Sequence, residues 1–466
     1  MQYQDNKMTE LQIAYIGGGS RGWAWNLMAD LAMDGQLGGN IRLYDIDGEA
    51  AKSNEIIRNR LSGRNDVPGK WRYTTAPSLA EALTGADFVI ISILPGTFDE
   101  MESDVHTPEK YGVYQSVGDS VGPGGNIRAL RLIPMYVTFA EAIRDYAPDA
   151  WVINFTNLMT ICVQTLHHIF PGIKAFGCCH EVFGTQNILR DFYQEESGVT
   201  GIKRQEILTN VMGINHFTWI DKASYKNVDL IPLYRKYVDK LYEEGYCEPD
   251  YHWMNSSFYC ANRVKFDLFK KYNCIAAAGD RHLAEFMPGD LYLKNPETVK
   301  QWKFGLTTVS WRKNDLTKRL EKAKRLSEGV EEVTLRHSGE DTIALIRALC
   351  GLDGRLVTNV NYPNTALQIS NLPTDATVET NAIFSYDNLQ PVQSGSLPEE
   401  IRKLILPHVR NQKEILQAAL SCNRNLVYEV FAREPMIAGR LTQAQYKALA
   451  DEMIDNTVAF LPEGWK

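Results

Sequence analysis

An α/β fold is predicted, with a doubly wound parallel sheet in the N-terminal part and a mixed α/β (α+β) C-terminal domain. Three features of the sequence point to it. Short apolar stretches alternate with helical patterns from Leu11 onward. A glycine cluster from Gly17 to Gly22 separates the first apolar stretch from the first helical one. At 466 residues the chain also exceeds what one hydrophobic core usually organises, so two domains are expected.

The elements follow in order. Residues 11–16 read as a strand, and Trp23, Leu27, Leu31 and Ala32 then recur at helical spacing. A second strand at 41–44 is closed by Asp45 and Asp47, and a helical stretch at 49–61 leads to a strand at 71–75. A helix at 78–83 precedes the continuous apolar run 88–94, the pattern of a strand buried on both faces. Further strands are expected at 151–155 and 174–178, with ligands at the carboxyl ends of the parallel strands. Beyond about residue 200 the alternation becomes less regular. Helical patterns recur at 233–243, 316–328, 340–350, 399–422 and 444–455, and short apolar stretches near Val211 and Leu367 read as strands of a smaller sheet. The expected division is therefore 1–200 for an N-terminal domain and 201–466 for a C-terminal one.

Composition excludes several classes. Net charge is −8, with no basic block along the chain, which argues against nucleic acid or an anionic membrane as partner. The 44% hydrophobic and 23% charged fractions are those of a folded globular protein. No apolar run approaches the ~18 residues of a spanning helix, and the polar start lacks the apolar core of a signal peptide. The eight cysteines are scattered without the spacing of a disulfide scaffold or zinc finger. A cytoplasmic protein with reduced thiols is expected.

Gly17, Gly19 and Gly22 form G-x-G-x-x-G between a strand and a helix. In that context the first glycine permits the tight turn and the second lets backbone approach a pyrophosphate. The helix N-terminus, with Ser20 beside it, supplies unpaired N–H donors. Asp45, ending the second strand, is placed to accept hydrogen bonds from an adenosine ribose and would repel a 2′-phosphate, so the Rossmann-like domain is expected to bind NAD. The plainer alternative is that Asp45 or Asp47 merely caps the next helix.

Several strings in sequence order, Gly17-Gly18-Gly19-Ser20, Gly122-Pro123-Gly124-Gly125, Asn154-Phe155-Thr156-Asn157, Cys179-His180-Glu181-Val182 and Gly213-Ile214-Asn215-His216, resemble glycoside hydrolase family 4. Members need NAD and usually manganese. The resemblance covers more than half the chain and implies that Cys179 and His216 bind Mn2+. A thiolate and a neutral imidazole suit borderline divalent metals, and two protein ligands leave room for substrate oxygens. Cys178 is expected to pack in the core. The Cys-His-Glu-Val form resembles the α-galacturonidase subgroup, which places substrate choice on Glu181; α-galactosidases and α-glucuronidases are the neighbouring alternatives. The resemblance also implies that Asn157 hydrogen-bonds the sugar and that Asp119 lies in a loop closing over nicotinamide and metal. Leu94 and Pro95 stand where relatives specific for phosphorylated sugars carry an arginine, so a phosphorylated substrate is not expected.

The run from Ala278 to Pro288 is dense in ionisable groups. The resemblance implies that Asp280 stands where some α-specific members keep a base in place of the tyrosine used by others, with Tyr251 and Tyr259 as candidates for the tyrosine role. Arg281 and His282 are candidates to receive a uronate carboxylate through charge-assisted bonds. The plainer alternative is a solvated loop in which Asp280 caps a helix. The family mechanism that the resemblance implies is transient C3 oxidation by NAD+, C2 deprotonation, elimination of the glycosidic oxygen from C1 with His180 as acid, and water addition. This differs from two-carboxylate hydrolysis. The expected substrate is a small uronic-acid-containing glycoside, and a homodimer or homotetramer is expected, with the C-terminal domain carrying substrate, metal and self-association. The competing expectations are an NAD-dependent dehydrogenase of the malate/lactate type and a non-catalytic NAD sensor.

Overall fold

The computed structural model describes residues 1–247, 254 and 258–466. Its strands are β1 (Gln2–Gln4), β2 (Lys7–Ile16), β3 (Leu37–Tyr44), β4 (Lys70–Thr75), β5 (Phe88–Ile91), β6 (Trp151–Asn154), β7 (Lys174–Gly177), β8 (Ile207–Ile214), β9 (Phe217–Tyr225), β10 (Val228–Asp229), β11 (Ile275–Ala276), β12 (Leu356–Pro363), β13 (Thr377–Ser385) and β14 (Asn388–Pro391). Ten of them form one sheet in the order β14-β13-β12-β7-β6-β5-β2-β3-β4, with β1 paired to β2. The pairs from β7 through β4 are parallel, while β12, β13 and β14 are added antiparallel. The remaining four make a small antiparallel sheet around β9.

Register positions the site. Ile16 stands opposite both Tyr44 and Ile91, Ile91 opposite Asn154, and Asn154 opposite Gly177. The carboxyl ends of five parallel strands therefore lie on one line, and Gly17, Asp45, Ser92, Phe155 and Cys178 leave the sheet side by side. Strand order reverses between β2 and β5, and the crevice at such a switch point is where ligands bind.

Alternation along β2 divides the core. Leu11, Ile13 and Tyr15 pack with Leu27 and Leu31 of the helix Trp23–Met33 and with Leu345 and Leu349 of the helix Thr342–Leu349. Ala14 and Ile16 face the opposite layer, where Ile133, Leu166 and Leu416 come from the helices Gly122–Tyr146, Met159–Ile169 and Glu399–Ser421. The small sheet has its own core of Val211, Ile220, Ile275, Tyr234 and Phe266.

The helical patterns at 233–243, 316–328, 340–350, 399–422 and 444–455 correspond to Ile231–Leu241, Val309–Glu328, Thr342–Leu349, Glu399–Ser421 and Gln443–Thr457. Val211 lies in β8 of the small sheet. Leu367 does not form a strand: it closes a short 3-10 turn, Asn364–Ala366, with φ +52°. The strands flanking it, β12 and β13, extend the large sheet, so residues beyond 200 contribute to both sheets. β5 ends at Ile91, short of the apolar run 88–94, because the chain turns there into the site and the Ile93 N–H donates to Thr156 Oγ1 at 2.9 Å. Among the described residues no helix is long and apolar enough to cross a membrane.

Candidate active site

The glycine loop is held by the residues it was expected to serve beside. Gly17 has φ +90°, and a Cβ there would stand 2.0 Å from the Ser92 carbonyl oxygen. The Gly19 N–H donates to Asp45 Oδ2 at 2.9 Å, and Ser20 Oγ accepts from the Gly22 N–H at 3.3 Å. Asp47, by contrast, caps the helix Gly48–Ser62 through Ala50. The two carboxylates thus divide the roles left open by the sequence: Asp47 caps, while Asp45 stands at the glycine loop. Burial raises the Asp45 carboxyl, against lowering bonds from the Asp47 and Gly19 N–H groups.

Three residues offer metal-ligand atoms that all lie within 4.8 Å of one another: Asp119, His216 and His282. They come from distant segments. Asn215 and His216 make the two-residue turn between β8 and β9, with His216 at φ +63°, a conformation non-glycine side chains adopt at a cost. His282 lies in the helix Asp280–Phe286 and its ring centroid is 3.8 Å from that of His216. Asp119 belongs to a loop fastened by buried Glu285, whose Oε1 accepts from the N–H groups of Val117 at 2.6 Å and Gly118 at 2.9 Å.

The chemistry of this set fits a divalent cation. Burial, with the neighbouring His282, lowers His216 to about 3, and burial lowers His282, so both imidazoles are neutral. Burial alone would raise the Asp119 carboxyl, yet His282 and His216, which take up charge in acid, together with Arg128 and Arg312 hold it below the usual range. His282 Nδ1 is buried with no hydrogen-bond partner. A carboxylate with two imidazoles suits Mn2+ better than thiolate-rich sets do.

Cys179 is buried, and its thiol is not one of these three mutually close ligand atoms. Its thiol bonds Asn215, the residue before His216, and is pushed well up by burial and by Glu379 and Glu181. Glu379 accepts from Asn215 at 3.1 Å and Asn359 at 2.7 Å, and burial lifts it to about 7. Cys178 packs against the other face of the sheet.

Around the cluster, Asn157 Nδ2 donates to Asp119 Oδ2 at 3.2 Å, so the expected sugar contact meets the expected closing loop. Glu181 Oε2 accepts from the Gly279 N–H at 2.7 Å, and its Oε1 is 3.9 Å from His282 Nε2. Burial would raise Glu181, but His282, His180 and His216 bring it to about 2. His180 is 49% exposed, pairs with Glu340 at 3.1 Å and lies 5.8 Å from the Trp23 ring. Burial works to lower it, but bonding to Glu340 and the nearby Glu181 and Glu379 raise it to about 9.

Two expectations take a different form in three dimensions. Asp280 is fully buried and its Oδ1 accepts from the Lys265 N–H at 3.0 Å, capping the helix Arg263–Tyr272; its Oδ2 has no partner, and burial lifts it to about 6. Arg281 is turned into the protein. Its Nε donates to Gly305 O at 3.2 Å and its Nη2 to Ser116 O at 2.7 Å and to Thr307 Oγ1, which leaves only Nη1 and therefore no two-nitrogen fork for a substrate carboxylate. Tyr251 lies outside the described residues, and Tyr259 is partly buried. Glu340 and Glu379 carried no sequence signal, since they belong to segments without a motif and reach the site only through the packing of β13 and of the loop before Thr342–Leu349.

The family 4 glycosyl hydrolase model matches residues 12–195, and the model of the C-terminal domain of that family matches 211–437. The chain therefore belongs to glycoside hydrolase family 4. It falls with the α-galacturonidases of that family: it is 58% identical to the α-galacturonidase of Thermoanaerobacterium saccharolyticum over 100% of this chain and 99% of that one. The crystal structure of lplD from Bacillus subtilis superposes with a TM-score of 0.91 at 48% identity, covering 96% of this chain and 100% of that one. A 6-phospho-α-glucosidase from gut microorganisms, solved in complex with NAD and Mn2+, shares the fold at 17% identity, with a TM-score of 0.76 over 97% and 99% of the two chains.

Proposed function

We propose that this glycoside hydrolase cleaves α-galacturonides, using NAD bound along the Gly17 to Gly22 loop and Mn2+ held at His216. The observation that carries the reading is the meeting of Asp119, His216 and His282 within 4.8 Å at the carboxyl edge of the sheet that bears the glycine loop. The identity with α-galacturonidases supports the choice of sugar.

Bound together, NAD and a divalent cation supply reversible oxidation at C3 and polarisation of the C2 and C3 oxygens, which makes the C2 proton acidic. The chain's own residues do the rest. Asn157 and Asp119, joined by their hydrogen bond, orient the hydroxyl edge of the sugar. Asp119, His216 and His282 would hold the cation, and Cys179, whose thiol bonds Asn215 of the same turn, would be a further ligand. His180, kept protonated at neutral pH by Glu340, donates its proton to the glycosidic oxygen as that oxygen leaves C1. Asp280, with its unpartnered oxygen and raised carboxyl, or Tyr259, takes the C2 proton and returns it after water has added at C1. Glu181 fixes the start of the segment holding Asp280 and His282 through the Gly279 N–H.

The test is turnover of p-nitrophenyl α-galacturonide beside the matching α-galactoside and α-glucuronide, with NAD+ and Mn2+ present and after dialysis against chelator. Preferred, chelator-sensitive release from the galacturonide is expected without net NADH. Accumulating NADH would identify a dehydrogenase, and release undiminished by chelator would remove the metal from the scheme.

A further inference from the structure

A uronate brings a carboxylate that must meet an unneutralised cation, and Glu181 makes the side of the site near His282 anionic. The cations near Asp119 can be sorted by what they already bind. Arg281 spends its Nε on Gly305 and its Nη2 on Ser116 and Thr307, so it offers at most Nη1 and no two-point fork. Arg131 forms a buried two-point pair with Asp104, at 3.1 and 2.6 Å. Lys265 donates to Thr185 Oγ1 at 2.9 Å. Arg128 and Arg312 remain. Neither side chain makes a hydrogen bond or an ion pair among the described residues, and Arg128, only 5% exposed, holds its Nε buried without a partner. Arg312, in the first turn of the helix Val309–Glu328, lies 6.0 Å from the Phe258 ring, whose centroid is 5.4 Å from the Arg281 guanidinium.

Both guanidiniums act on Asp119 and on each other. Two like charges facing one site, one of them buried without hydrogen bonds, form an arrangement that an incoming anion relieves. A pyranose holds O2 and O3 on one edge and C6 on the other. With O2 and O3 at the Asp119, His216 and His282 cluster, the C6 carboxylate lies on the opposite edge of the ring and needs a receptor outside that cluster.

We propose that Arg312, backed by Arg128, receives the C6 carboxylate of the substrate and so sets the preference for galacturonides over galactosides. The inference rests on the galacturonide assignment above. Arg312 is the better residue to test, because it is partly exposed and gives up no internal bond on substitution. Arg312→Gln should lower kcat/KM for p-nitrophenyl α-galacturonide by about 30-fold or more, mostly through KM, as expected for a lost charge-assisted bond. The same variant should leave the α-galactoside value within about twofold, as expected if only the carboxylate contact is lost. Arg312→Lys, which keeps the charge but not the planar fork, should recover part of the loss. Thermal unfolding of Arg312→Gln should match the parent. An unchanged preference ratio in an enzyme that does favour galacturonide would overturn this role for Arg312 while leaving the function intact. An equal loss on both substrates would make Arg312 structural and overturn it as well. A parent enzyme without preference for galacturonide would overturn the function first, and this inference with it.

Discussion

Replacing Glu285 by Gln should stabilise the protein above neutral pH and leave it unchanged in acid. Glu285 is fully buried, its Oε1 accepts from the Val117 and Gly118 N–H groups, and its Oε2 has no partner. Burial raises its carboxyl from 4.5 to about 7, and this is net of the two N–H bonds that favour the ionised form. A carboxyl whose folded value is raised stabilises the fold most below pH 4.5, where both states are protonated, and loses that contribution as pH rises to about 7. The loss amounts to about 3 kcal/mol above neutrality. Glutamine keeps the accepting oxygen and mimics the protonated form, so the variant should track the parent at pH 4.5 and exceed it by roughly 2–3 kcal/mol at pH 8. Urea unfolding of the NAD- and metal-free protein at the two pH values, followed by tryptophan fluorescence, measures the difference. A variant equally destabilised at both would show that the charged carboxylate is needed to hold the 117–119 loop, and would refute the assignment of Glu285 as a buried neutral group.

The other predictions concern the chemistry directly. His216→Ala should abolish Mn2+ binding measured by calorimetry, and His282→Asn should weaken it by about 10-fold or more; if Cys179→Ser weakens it equally, the thiol is a ligand, and if not, the metal is held by Asp119 and the two histidines. Glu340→Gln removes the partner that keeps His180 at about 9, so the alkaline limb of the kcat profile should move to lower pH, with alkyl galacturonides losing more than nitrophenyl ones; a stationary limb would take the acid role from His180. Turnover in D2O should place deuterium at C2 of the released sugar, and Asp280→Asn should suppress that exchange without loss of NAD+ or Mn2+ binding. Exchange retained in the variant would pass the base role to Tyr259 or another group, and product without deuterium from the parent would count against elimination altogether.

The parallel sheet was legible because strands buried on both faces, such as 88–91, must be apolar throughout, and because a glycine turn between strand and helix leaves few alternatives. The same local constraints marked Gly17, Gly19 and Asp45, since the close approach of Gly17 to the Ser92 carbonyl admits no side chain. His216 was legible from its motif, and Asp119 and Asn157 from theirs. Two groups of facts were not written locally. The antiparallel extension by β12, β13 and β14 depends on a strand far from β7 in sequence, paired through Asn361 and Gly177. Alternation alone cannot tell which sheet such a strand joins. The second group is electrical. Whether Arg281 or Arg312 has a guanidinium to spare, whether Asp280 caps a helix, and whether His282 joins His216 depend on which partners each side chain meets. Those partners, Ser116, Thr307, Lys265 and Asp119, come from other segments of the chain. Residue type and spacing determined which groups could ionise, bind a metal or line a turn; only the folded chain decided which of them were already satisfied, because hydrogen bonds and burial are set by neighbours in space.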